Sequence, residues 1–320
     1  MLRRAIIFIS ILSLSAPGNP LAGSEAETDE HKGTITLSGA WALYPLAIRW
    51  GEEYHKIHSG VTVDISAGGA GKGMADCLSG AVDLGMVSRQ IYPEEKARGA
   101  WWVSVARDAV VPTMNAGNPC KEWVLEHGIS RESFRGIWIT GEIDNWSELA
   151  QGSGSHAIHV YTRSDACGAA KTWAEFLGAQ QEDLLDVGVY GDPGLAEAVR
   201  NDIFSIGYNN INFVYDTKTR AQLPGICILP IDLNANGTID AEENFYSNRD
   251  DIVRAIAADI YPSPPARDLH LVSHGRPRNA LVTRFLEWVL TEGQKYIHES
   301  GYISIPGEKL DLQMNKLKKD

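Results

Sequence analysis

Apolar positions along the chain switch between a two-residue and a roughly 3.6-residue period, and the switching predicts an α/β architecture. Positions 34–37 and 61–65 alternate as strands, and 82–87 is a third short apolar run. Between the first two, Leu43, Leu46, Ala47, Trp50 and Tyr54 share one face of a helix spanning 43–58. A glycine-rich turn at 68–73 leads into a short helix ending near residue 78, and 103–105 and 109–114 are extended. This β-α-β-α-β order implies a mainly parallel sheet with helices on both faces.

A second set follows. Positions 131–137 are helical, 143–149 form a capped helical turn, and 157–161 is a strand running through 162–170 into a helix that ends near 177. Another strand is predicted at 226–231 and a helix at 250–260, which Tyr261-Pro262-Ser263-Pro264-Pro265 breaks. Positions 268–273 are extended, 280–301 read as one amphipathic helix, and 316–320 as a solvated tail. No internal repeat is evident.

The chain has 320 residues, enough for roughly two domains at about 100–200 residues each. Its 44% hydrophobic and 22% charged residues are ordinary globular values and exclude disorder as a whole-chain description. Net charge is −12, from 29 basic against 41 acidic residues, so nucleic acid is not an expected partner. A small anion remains compatible, because local amide dipoles outweigh a distant net charge. Arg3 and Arg4 precede an apolar run at 5–16, too short to span a bilayer, and small residues follow at Ala22, Gly23, Ser24 and Ala26. This predicts an export signal over 1–26 and a periplasmic or secreted, monomeric product, soluble after cleavage. Ser24 stands where a lipoprotein signal would need Cys. Four cysteines (Cys77, Cys120, Cys167 and Cys227) allow three full pairings, and sequence does not choose among them. Cys77 and Cys227 read as buried small hydrophobes.

Three loops are candidates for chemistry. The turn Gly68-Gly69-Ala70-Gly71-Lys72-Gly73 offers backbone N–H groups at a helix start. It is not a Walker A loop, since Ser66 stands in place of the first Gly and Gly73 in place of the Ser/Thr. Arg163-Ser164-Asp165-Ala166-Cys167-Gly168-Ala169 lies between a strand and a helix, where open α/β sheets place ligands. Arg163 offers a planar fork for an oxyanion, and Asp165 would hold it in place. The third loop, 232–243, fits an EF-hand calcium loop. Asp232, Asn234, Asn236, Asp240 and Glu243 supply oxygens, Thr238 stands at the backbone-ligand position, and Gly237 permits the turn. A strand rather than a helix precedes it, so a structural Ca2+ site outside a paired EF-hand is expected. Enzyme signatures are missing: there is no HExxH and no GxSxG. Cys167 at a helix start is the one candidate nucleophile. Trp41 and Tyr44 flank the first loop and stand either in a cleft wall or in the core.

In order, these stretches resemble the substrate-binding proteins of phosphate ABC transporters, over nearly all of the chain after the signal. The resemblance rests on Ser38-Gly39-Ala40-Trp41-Ala42-Leu43-Tyr44-Pro45, on 69–74 followed by Ser79-Gly80-Ala81-Val82-Asp83-Leu84-Gly85, on Thr140-Gly141-Glu142-Ile143-Asp144-Asn145-Trp146, on 162–169, and on the terminal Phe285-Leu286-Glu287-Trp288 and Gly301-Tyr302. It implies the two-lobe fold of type II periplasmic binding proteins, each lobe a mainly parallel sheet flanked by helices. The crossovers are expected near 112–115 and 271–274. Lobe one is then 30–112 with 272–320, and lobe two is 113–271, carrying the calcium loop.

The resemblance also implies a function: capture of phosphate, or a similar oxyanion, for an ABC membrane permease, without catalysis. Arg163 matches the family's anion-pairing Arg, Asp165 its orienting Asp, and Asp83 the carboxylate that accepts a proton from the ligand. Ala42, Leu43, Tyr44, Ala70, Gly71, Lys72, Cys167, Gly168 and Ala169 complete the implied ligand set. Family hydroxyls are replaced at Leu43, Ala70, Cys167 and Ala169; Lys72, Ser88 and Arg89 are candidate substitutes. The same fold with a different small anion or organic acid is the alternative, and a secreted thiol enzyme using Cys167 a third.

Overall fold

The computed structural model describes residues 32–150 and 154–318, so the expected export signal lies outside the described residues. In chain order, β1 (Gly33–Gly39), α1 (Tyr44–Ile57), β2 (Val61–Ala67), α2 (Ala70–Ser79), β3 (Leu84–Val87), α3 (Pro93–Ala97) and β4 (Ala100–Asn115) come first. There follow α4 (Lys121–His127), β5 (Ile129–Ser130), α5 (Arg131–Arg135), α6 (Trp146–Leu149), β6 (His159–Arg163), α7 (Gly168–Phe176), β7 (Val187–Val189), α8 (Gly191–Asn201) and β8 (Ser205–Asn210). The remainder is β9 (Ile226–Ile228), β10 (Ile231–Asp232), α9 (Arg249–Ala257), β11 (Ala266–His274), α10 (Ala280–Leu290) and α11 (Gly307–Lys318).

The main sheet runs β2-β1-β3-β11-β4-β8-β6-β7, with β9 also on β4. β1 pairs parallel with β2 and β3, and β6 pairs parallel with β7 and β8. β4 and β11 are antiparallel to each other and to their other neighbours. β4, at 16 residues, reaches about 50 Å and passes through both lobes.

Two apolar cores flank this spine. Val103, Val105 and Ala106 of β4 join one core with Leu37, Trp50, Met86 and Phe285. Ala109, Val110, Val111 and Met114 join the other, with Trp138, Trp173, Ile206 and Tyr208. On β11 the same exchange falls between Ala266 and Leu269. The cores thus change over at 107–108 and 267–268, a few residues before the positions expected from sequence. The change is marked by a buried ion pair rather than by a turn. Asp108 and Arg267 are register partners, and Arg267 Nε donates to Asp108 Oδ1 at 3.0 Å. Burial raises the Asp108 carboxyl above its ordinary range, against the opposing pull of Arg267.

Helix α1 buries Leu46, Ala47, Trp50 and Tyr54, the face predicted by periodicity. The predicted helix over 280–301 is two pieces, because the chain leaves the helical region at Thr291 (φ −121°, ψ −94°). Trp50 Nε1 takes the freed Gly293 carbonyl at 2.8 Å. The expected solvated tail from 316 is the end of α11, up to the last described residue. There Lys316 donates to the Trp102 carbonyl at 2.6 Å and lies 3.8 Å from the Trp102 ring centroid. All four cysteines are free and buried. Among the described residues no helix is long and apolar enough to cross a membrane.

Candidate functional site

At the carboxyl ends of β1, β2, β6 and β7 the chain turns, after at most four residues, into α1, α2, α7 and α8. This is where open α/β sheets bind ligands. The first-turn N–H groups of a helix lack intrahelical partners, and each N-terminus carries about half a positive charge. The α2 and α7 termini, from different lobes, touch: Gly71 N–H donates to the Ala166 carbonyl at 3.0 Å. The approach leaves no room for side chains. A Cβ on Gly69 would lie 2.7 Å from Asp165 Oδ2, and one on Gly71 2.9 Å from the Ala166 Cβ. Gly69 also holds φ at +88°, which glycine adopts without cost. A cavity of about 360 Å³ opens beside the contact, lined by Gly71, Arg89, Tyr92, Ala166, Cys167 and Lys171 among others.

Arg163 ends β6 with its side chain fully buried. Its Nε and Nη2 donate to Asp165 Oδ1 and Oδ2 at 2.8 and 2.6 Å, the bidentate pairing expected from sequence. Its Nη1 donates to Asp192 Oδ2 at 2.5 Å, a partner the sequence did not reveal. Burial pulls the guanidinium pKa down, but Asp192 and the other anionic neighbours outweigh it and raise it above its ordinary value. Asp192 sits in the first turn of α8, 1% exposed, and its Oδ1 accepts from Asn210 N and Nδ2 at 3.2 and 2.7 Å. Asn210 in turn accepts from Arg267, so buried hydrogen bonds run from the site arginine to the crossover pair. The only outward signal for Asp192 was Gly191-Asp192-Pro193-Gly194 after a short apolar run, which resembles a plain turn.

The rest of the third loop is held from behind. Gln181 Nε2 donates to the Asp165 carbonyl at 2.8 Å, and its Oε1 accepts from Cys167 N at 3.3 Å. Cys167 caps α7 through its sulfur, which accepts from Ala170 N at 3.4 Å. Burial pushes its thiol up to about 11 even with Arg163 opposing, so the thiolate needed for nucleophilic attack is scarce. Gly168 packs on Ser88, whose Oγ lies 2.2 Å from where a Gly168 Cβ would stand. Gly168 and Ala169 lie in the first turn of α7 and Ala70 and Lys72 in that of α2, and these backbone N–H groups remain for an anion.

In the first loop, Leu43 is the buried cap of α1, and Ala42 offers its carbonyl to Tyr302 OH at 2.7 Å. Leu43 N and Tyr44 N donate to Ala40 and Trp41 carbonyls in a turn. Lys72 does not stand in for a lost hydroxyl. Its ammonium runs along α2 to Asp76 and donates to Ser38 Oγ at 2.7 Å. Arg89 is likewise engaged, forking onto Glu95 at 2.9 and 2.7 Å.

The assignment of Asp83 is corrected. β3 begins at Leu84, so Asp83 stands at its amino end and Ser88 at the carboxyl end that faces the site, about 16 Å away along the strand. Asp83 Oδ2 instead accepts from Thr36 N and Thr36 Oγ1, both at 2.8 Å, tying the starts of β3 and β1 together. It borders a different cavity, with Cys77, Gly80 and Asn279. Asp83 and Arg163 therefore do not share a site, and the connection 88–92 between β3 and α3 contains no carboxylate.

Comparison with known proteins agrees with this architecture. A family model described as PBP superfamily domain matches residues 24–292. The phosphate-binding protein PstS of Methanocaldococcus jannaschii is 25% identical, the alignment covering 96% of this chain and 91% of that protein. Protein SphX of Synechococcus elongatus is 21% identical over 96% of this chain and 87% of its own. A Clostridium perfringens substrate-binding protein with bound phosphate superposes with a TM-score of 0.69 at 21% identity, covering 86% of this chain and all of that one. An ABC-type phosphate transport receptor from Vibrio cholerae gives 0.60 at 21% identity, over 85% of this chain and all of that one. With two α/β lobes bridged by β4 and β11 and helix N-termini facing across the seam, the chain belongs to the periplasmic-binding-protein (PBP) superfamily.

Proposed function

We propose that this chain is an exported solute-binding protein that captures phosphate, or a similar small oxyanion, and delivers it to the permease of an ABC importer. The observation that carries this reading is the meeting of the α2 and α7 N-termini across the seam, beside the buried Arg163. Backbone N–H groups and a guanidinium suit an oxyanion and need no hydroxyl at 70, 167 or 169. The phosphate-binding names of the curated relatives support the same ligand class. Titration calorimetry with phosphate, arsenate, sulfate, molybdate and tungstate tests it; no heat with any of them rejects it. In this reading the protein acts as a monomer outside the cytoplasm after cleavage within 22–26, which N-terminal sequencing of the exported form checks.

One observation favours a second reading, a small organic anion. Asp165 and Asp192 both pair with Arg163, leaving it less positive than a singly paired arginine. Mass spectrometry of ligand released from protein purified without phosphate separates the two. Catalysis by Cys167 is disfavoured by its burial and raised pKa.

We further propose that 232–243 holds a structural Ca2+. The winding of the loop supports this reading: Gly237 has φ +84°, and Asp232 Oδ2 and Oδ1 accept from Gly237 N and Asn236 N at 2.9 and 3.2 Å. Glu243 folds back, its Oε1 accepting from Leu233 N at 2.8 Å, and Asp240 Oδ2 accepts from Asn234 and Asn236 amides at 2.9 Å. Asp232, Asn234, Asn236, Asp240 and Glu243 would supply side-chain oxygens, and Thr238 its carbonyl.

A further inference from the structure

Trp41 lies on the turn between β1 and α1, in lobe one, and its ring edge rests on Gly191, the first residue of α8 in lobe two. A Cβ on Gly191 would lie 3.2, 3.3 and 3.4 Å from Trp41 Cε2, Nε1 and Cζ2. Gly191 also holds φ at +74°, which favours glycine, and a Cβ there would crowd the Trp41 ring. Its N–H donates to Asp165 Oδ1 at 3.2 Å, and the next residue is Asp192. The indole nitrogen is therefore set beside a backbone residue that precedes Asp192 and hydrogen-bonds Asp165, the two carboxylates of Arg163.

Trp41 Nε1 is buried and has no hydrogen-bond partner among the described residues. Buried donors in native proteins are almost always paired, so a lone one asks for an explanation. Trp173 Nε1 is also unpaired, but it sits within one lobe, in a ring cluster with Phe134, Trp138 and Tyr208. Trp41 differs in lying on the seam, against Gly191, whose N–H meets Asp165, a partner of the buried Arg163. An indole N–H donates only, and an oxyanion only needs donors at its unprotonated oxygens.

We propose that Trp41 is a ligand-binding residue whose indole N–H donates to an oxygen of the captured oxyanion. It supplies a side-chain donor in a site where Ala70, Cys167 and Ala169 offer none. The inference rests on the oxyanion reading above.

The test uses the mature chain, inorganic phosphate and the variant Trp41→Phe, which keeps an aromatic ring and removes the N–H together with the five-membered ring that bears it. Calorimetry is expected to show phosphate affinity reduced about tenfold or more, the usual loss for a buried hydrogen bond. The ligand-free melting temperature should stay near wild type. In a 15N-indole spectrum, the resonance missing from Trp41→Phe should be the one that phosphate shifts most. Equal affinity in wild type and Trp41→Phe, or a Trp41 indole resonance that phosphate leaves in place, overturns this proposal alone. Wild-type protein that binds no oxyanion overturns both it and the reading on which it rests.

Discussion

Asp192 closes the second flank of Arg163: its Oδ2 lies 2.5 Å from Nη1, while Asp165 forks the other edge. The pair links α8 to β6 and, through Asn210, to the Arg267–Asp108 pair at the crossover. Breaking a buried charge pair leaves its partners uncompensated. Asp192→Ala is expected to lower stability by about 3 kcal/mol, measured by urea denaturation. A loss below about 1 kcal/mol would mean that Asp165 alone satisfies the guanidinium.

Asp83 serves the fold and not the ligand. Asp83→Asn should cost about 1 kcal/mol, since the Thr36 contacts weaken without vanishing. Phosphate affinity should remain within about twofold of wild type, which is about 0.4 kcal/mol. Severe loss of binding without loss of stability would return Asp83 to the site.

His270 gives stability a defined pH response. It is buried at 7% exposure, lies 3.0 Å from Ser104 Oγ through Nδ1, and burial lowers its pKa to about 4. The unfolded chain binds a proton near pH 6.5, the folded one only near 4, so folding excludes that proton between these values. Stability is full above about 6.5 and falls by up to about 3 kcal/mol as pH drops to 4. His270→Gln should flatten the melting temperature over that window relative to wild type. Parallel profiles would show that His270 is not the source.

The cysteines are expected to be inert. All four are buried, and burial raises Cys77, Cys167 and Cys227 to about 11. Native protein should take up no maleimide at neutral pH, and four per chain in denaturant. Rapid native labelling of Cys167 would revive the thiol-enzyme reading.

For the calcium loop, chelator should lower the melting temperature, and Asp232→Ala should abolish that difference. A Kd near about 10⁻⁴ M would suffice in a calcium-rich exterior. Identical melts with and without chelator would count against the site.

Much of the fold was legible because its signals are local. The α1 face and the glycine turn before α2 are periodicity and turn chemistry, and the capped helical turn read at 143–149 is α6, closed by an Asn145/Glu148 capping box. What escaped depends on distant partners. β7 and α8 were passed over because Val187–Val189 is short and partly exposed and Gly191-Asp192-Pro193-Gly194 looks like a turn, so Asp192 was lost with them. Asp83 was misplaced because a four-residue apolar strand does not announce which end meets the ligand. The carboxyl-end rule applied to Val87 would have pointed to Ser88. The long helix at 280–301 failed because the chain leaves the helical region at Thr291, and the carbonyl freed beyond it is taken by Trp50, a partner far away in sequence.

The most direct test of a clamp that shuts on an anion is phosphate titration of Gly71→Ala beside wild type. The added methyl would stand 2.9 Å from Ala166 Cβ and 3.0 Å from its carbonyl oxygen, in the opposite lobe. Within α2, Ala is a better helix former than Gly by about 1 kcal/mol, so any lower melting temperature of ligand-free Gly71→Ala reports the contact with Ala166 rather than the helix. We expect one phosphate per wild-type chain and at least about tenfold weaker binding, about 1.4 kcal/mol, in Gly71→Ala. Phosphate binding undiminished by that methyl, or absent from the wild-type chain, would contradict capture between these two helix ends.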